Sequence, residues 1–120
     1  MENIFLLGTN HQHAPIEWRE RIAIKPEKIG AFLQVLHKHS AEVVILATCN
    51  RLEIYGIALD GHTPRQPIID ILVQTCGISE AEIEKYFYTH SAEAAVRHLF
   101  TVAAGLDSML VGEAQILGQV

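Results

Sequence analysis

The stretch AEVVILATCNRLEIYGIAL, residues 41–59, places two β-patterned segments on either side of Cys49 and Asn50. The first, ending at Thr48, is a continuous apolar run rich in Val and Ile, which predicts a central strand. The second, starting at Arg51, resumes as a strand after the turn-forming Cys-Asn pair. Cys49 is therefore expected at a strand end, next to a cation and an amide.

Working outward, NIFLLGTN (residues 3–10) reads as a first strand, because its apolar run is too short and too poor in flanking basic residues for a secretory leader. Pro26 opens a helix whose Ile29, Phe32, Leu33 and Leu36 share one face, and that face must cover a sheet. DGHTPRQP (60–67) is a turn-rich connection, and IIDILVQTCG (68–77) is a helix closed by Gly77. Ser79 and Glu82 are spaced as a capping box for a brief helical turn. KYFYTH (85–90) is aromatic and β-like, and Ser91 is expected to cap a last helix carrying Ala95, Leu99, Val102 and Leu106 on one stripe. Strand, helix, strand thus occurs twice, with a helix to follow. That order predicts a ferredoxin-like α+β fold, a split βαβ antiparallel sheet with helices on one face.

The chain has 120 residues, of which 49% are hydrophobic, enough for a single domain with its own core. A formal net charge of −5 argues against a chain that wraps nucleic acid by neutralising many phosphates and leaves room for a local basic contact, so a nucleic-acid partner would be held mostly elsewhere. No apolar segment approaches membrane-spanning length. The two cysteines, Cys49 and Cys76, form no CxxC pair and suit a reducing compartment, so a cytoplasmic location is expected.

Residue type alone leaves Cys49 between a small buried hydrophobe and a nucleophile; the nearby Arg51 favours a thiolate. Cys76, on the last turn of an apolar helix, is assigned to packing. His11 and His13 lie two apart, but no further ligands stand at metal spacing, so no metal site is expected. His98 falls within a largely apolar helix, where an imidazole must be hydrogen-bonded or border a cleft. The tail GLDSMLVGEAQILGQV (105–120) sets polar groups among glycines and apolar residues, an arrangement suited to contacting a ligand.

Three segments, TCNRLEIY, NHQHAPIEWRE and RHLFTVAAGLDSMLVGEAQILGQV, together resemble glutamyl-tRNA reductase across essentially all of the chain, in the family's order and spacing. The resemblance is to its N-terminal catalytic domain, which in that family precedes an NADPH-binding and a dimerisation domain. Residues 1–120 are accordingly read as that catalytic, glutamyl-tRNA-binding domain, cut short within a family motif and without the other two. No GxGxxG fingerprint occurs, so no cofactor-binding residues are expected here.

The resemblance implies NADPH-dependent reduction of glutamyl-tRNA to glutamate-1-semialdehyde for tetrapyrrole (porphyrin) synthesis, through a thioester on Cys49. It also implies a homodimer in the full-length family and contact with glutamate-1-semialdehyde aminomutase. Carried over position by position, Cys49 and His98 are catalytic, while Thr48, Asn50, Arg51, Ser108, Glu113, Ala114, Gln115 and Gln119 bind substrate. Ala114 departs from the proline usual there. Chemically, Arg51 suits the glutamyl carboxylate, Glu113 the free ammonium, His98 proton transfer, and Asn50 or backbone amides the oxyanion. The alternative is a non-catalytic module that binds the aminoacyl end of tRNA.

Overall fold

A computed structural model describes residues 3–59 and 61–108, the last three of these by backbone alone. In chain order the elements are β1 (Ile4–Asn10), α1 (Ile16–Arg21), α2 (Pro26–His37), β2 (Ser40–Ala47), β3 (Arg51–Ala58), α3 (Arg65–Cys76), α4 (Glu80–Tyr86), β4 (Tyr88–Ser91) and α5 (Ala92–Ser108). The four strands form one sheet in the order β2-β3-β1-β4, with every neighbouring pair antiparallel. This is the split βαβ arrangement, α+β as expected.

The strands bury what their alternation dictates. Phe5 and Leu7 of β1 and Leu52 and Ile54 of β3 point to one face, where they meet Trp18, Ile22, Phe32, Leu36, Ile68, Leu72 and Ile83 from α1–α4. Leu6 and Tyr55 point to the other face and meet Ala95 and Leu99 of α5. Helices on one face therefore describes α1–α4 only. α5 packs on the opposite face, because the second face of β1 and β3 is itself apolar enough to need a cover.

Three expectations change. The apolar run 41–48 is an edge strand and not a central one; Val44 is 45% exposed, and the ladder is irregular between Ser40 and Glu42. Its apolar character reflects helices on both sides of the sheet, which periodicity cannot distinguish from a central position. Lys85 and Tyr86 close α4, so β4 starts only at Tyr88. Ser91 does not cap α5; it pairs with Phe5 as the last residue of β4, and the chain enters the helix at Ala92 with φ 54°. Two other signals hold: Ser79 and Glu82 form the reciprocal capping box, and Gly77 ends α3 in the left-handed conformation, φ 68°.

Candidate active site

Thr48, Cys49 and Asn50 form the turn between β2 and β3, built by Thr48. Its Oγ1 accepts the backbone N–H groups of Asn50 (3.1 Å) and Arg51 (3.2 Å), while its own N–H donates to the Arg51 carbonyl at 2.8 Å. Both of these backbone amides are thereby occupied. Cys49 is exposed at the crest of this turn and borders a cleft of about 210 Å³ lined by Arg19, Ile22, Ile24, Thr48, Arg51 and Leu52, among others. Cys76 is half-buried with its thiol 3.7 Å from the Ile22 carbonyl, and burial pushes that thiol's pKa up.

Arg19, on α1, reaches across to this turn. Its Nη1 donates to the Cys49 carbonyl at 2.9 Å and approaches Asn50 Oδ1 at 3.5 Å, and its Nε donates to the Ala14 carbonyl at 3.2 Å. Ala14 is held in turn, since Asn10 at the end of β1 accepts the N–H groups of Gln12 and His13 through Oδ1 and those of His13 and Ala14 through its carbonyl. Sequence reasoning gave Arg19 no role, and nothing local marks it out: a charged residue on a short helix looks like a solvated one.

On the α5 face, Glu53 is fully buried at the centre of a polar cluster. Tyr55 Oη donates to its Oε1 at 2.9 Å, Tyr88 Oη to its Oε2 at 2.5 Å, and His98 Nε2 lies 2.6 Å from Oε2. Arg51 Nη1 stands 3.5 Å from the same oxygen, with its side chain 17% exposed. A carboxylate with this many donors is the arrangement that makes a buried charge tolerable. Burial, reinforced by the carboxylate, pushes both tyrosine phenols well above their ordinary range, so they remain donors. Gly8 makes the room: it sits opposite both Glu53 and Tyr88, and a Cβ there would come within 2.8 Å of Glu53 Cγ and 2.7 Å of the Leu52 carbonyl.

His98 is thus hydrogen-bonded and half-buried beside a ring cluster in which Tyr88 packs against His13, His90 and His98 at centroid separations of 4.7, 5.7 and 5.2 Å. The Glu53 carboxylate accepts from Nε2–H, so the network assigns Nδ1 as the nitrogen with a lone pair in the neutral ring. Arg51, two positions after Cys49 in the chain, pairs with Glu53, and Glu53 in turn holds His98. Glu53 was legible in principle, as an acidic residue alternating with apolar ones in a strand demands a partner. Ser108 ends α5 with only its backbone described, and Glu113, Ala114, Gln115 and Gln119 lie outside the described residues. Among the described residues no group of three or more His, Cys, Asp or Glu is placed to hold a metal, and no helix is long and apolar enough to cross a membrane.

Residues 7–120 match the family model described as glutamyl-tRNAGlu reductase, N-terminal domain. The chain belongs to the glutamyl-tRNA reductase N-terminal domain family. Similar proteins include the glutamyl-tRNA reductase of Deinococcus radiodurans, 46% identical over 115 residues (96% of this chain, 31% of that protein). That of Pseudoalteromonas translucida is 44% identical over 119 residues (98% and 28%). The solved structure of glutamyl-tRNA reductase from Methanopyrus kandleri matches with a TM-score of 0.64 at 28% identity, covering 99% of this chain and 26% of that one. The chain therefore spans about a third or less of the length of these glutamyl-tRNA reductases.

Proposed function

We propose that this domain carries out acyl transfer within an NADPH-dependent glutamyl-tRNA reductase, with Cys49 as nucleophile. The observation that supports it is the exposure of Cys49 at the crest of a turn braced by the Thr48 side chain and bordering a cleft lined in part by Arg51. The thiolate attacks the carbonyl of the ester joining glutamate to the terminal adenosine; a C–S bond forms, the C–O bond breaks, and the tRNA hydroxyl leaves with a proton. His98, oriented by Glu53, is the acid–base candidate for that proton, and the Asn50 amide is the donor toward the oxyanion. Arg51, steadied by Glu53, selects the glutamyl carboxylate, and Ser108, Glu113, Gln115 and Gln119 add contacts to substrate.

Reduction of the thioester to the semialdehyde requires a hydride, which NADPH supplies. The described residues do not fit that cofactor: the β1–α1 loop is HQHAP and the β3–α3 connection reads GHTP after residue 60, neither offering the glycine-rich turn that cradles a pyrophosphate. NADPH binding, homodimerisation and contact with an aminomutase are accordingly proposed for the longer enzyme, in the cytoplasm.

Turnover of glutamyl-tRNA by Cys49→Ser and Arg51→Lys variants tests the reading. The first is expected to abolish deacylation, and the second to raise KM at least tenfold, because a point charge cannot reproduce the guanidinium fork. An ester left intact by wild type would instead favour a module that only binds the aminoacyl end.

A further inference from the structure

We infer that Arg19 is a positioning residue for the acyl-transfer step, an inference that rests on Cys49 being the nucleophile. Its guanidinium ties the nucleophile turn, through the Cys49 carbonyl and Asn50 Oδ1, to helix α1 that carries it and, through the Ala14 carbonyl, to the loop leading into that helix. The bond to the Cys49 carbonyl acts on the residue whose side chain must approach the ester. An exposed turn anchored only by Thr48 could rock about its two ends; the added 2.9 Å bond from α1 fixes the direction in which the thiol projects.

The contact to Asn50 has a second consequence. An amide offers an acceptor at one end and two donors at the other. With Oδ1 turned toward Arg19, the NH2 end points away, and so the donor end is the one left for a developing oxyanion beside Cys49. The backbone amides of Asn50 and Arg51 cannot take that part, since Thr48 holds both. Arg19 therefore acts on the reaction through Cys49 and Asn50 and not by touching substrate.

The test is single-turnover cleavage of glutamyl-tRNA by the full-length protein carrying Arg19→Gln, Arg19→Lys, Asn50→Ala or Arg19→Gln with Asn50→Ala, with Cys49→Ser as control and thermal melts throughout. R19Q is expected to slow the acyl-transfer rate on the order of 10²-fold with KM unchanged. R19K, which keeps a cationic donor group but on a single nitrogen, should recover part of that loss. The double variant should be slowed much less than the product of the single effects, because the two residues work as a unit. Wild-type cleavage by R19Q alongside an inactive C49S overturns the role of Arg19 while sparing the nucleophile. Rate losses that simply follow lowered melting temperatures and multiply with N50A also overturn it. Activity retained by C49S overturns the nucleophile itself, and the role of Arg19 with it.

Discussion

Glu53 Oε2 lies 2.6 Å from His98 Nε2, and the carboxylate that makes this contact has no exposure to solvent. The pair joins strand β3 to helix α5 and fixes the imidazole in one orientation. Glu53→Gln keeps the shape but removes the charge 3.5 Å from Arg51 Nη1, a buried nitrogen without a hydrogen-bond partner. Breaking a buried pair in this way is expected to cost about 3 kcal/mol. At this size the loss corresponds to a fall in melting temperature of roughly 4 °C per kcal/mol. A melting temperature unchanged from wild type would show that the cluster tolerates a neutral hub.

Gly8→Ala is expected to destabilise through the same cluster from the opposite strand. The added methyl meets backbone at the Leu52 carbonyl as well as the Glu53 side chain, so neither neighbour can simply rotate away. Overpacking of this kind costs about 1–3 kcal/mol. Chemical denaturation measures it, and Gly30→Ala is the contrasting control, since a Cβ at Gly30 meets nothing within 4 Å.

The two cysteines should separate in reactivity. Cys49 is exposed, whereas Cys76 is half-buried with its thiol pushed up by burial. Limited alkylation at neutral pH followed by peptide mass spectrometry should label Cys49 first. Equal labelling would mean that the turn shields its thiol in solution.

Stability should fall on mild acidification. Burial first, then the neighbouring His98, with a further lowering from His13, hold the His90 pKa below its ordinary value against the opposing pull of Glu53. A folded-state pKa below the unfolded one means that the unfolded chain binds the proton more tightly. His90 therefore costs nothing above its unfolded pKa of about 6.5, and stability is lost as pH falls through that value toward the folded one. Denaturation midpoints between about pH 8 and pH 5 should decline less steeply in His90→Gln. An identical slope in the variant would place the pH dependence elsewhere.

The sheet was legible because hydrophobic runs, Pro26, Gly77 and the Ser79–Glu82 box are local signals with local causes. Strand position was not, since an edge strand with helices above and below carries the same apolar run as a central one. The placement of α5 on the second face depends on what Leu6 and Tyr55 expose there, a property of the assembled sheet. At the site, the Thr48–Asn50 turn stood out in the sequence, whereas Arg19 and Glu53 make their contacts at separations of 30 and 45 residues from Cys49 and His98 and leave no short-range pattern.

The most direct test of the acyl-transfer account is intact-protein and peptide mass spectrometry of the protein incubated with glutamyl-tRNA in the absence of NADPH and quenched in acid. The account predicts an adduct of one glutamyl group on the peptide carrying Cys49, labile to hydroxylamine and absent from Cys49→Ser. Release of free tRNA with Cys49 unmodified, at equal rates in wild type and Cys49→Ser, would contradict it.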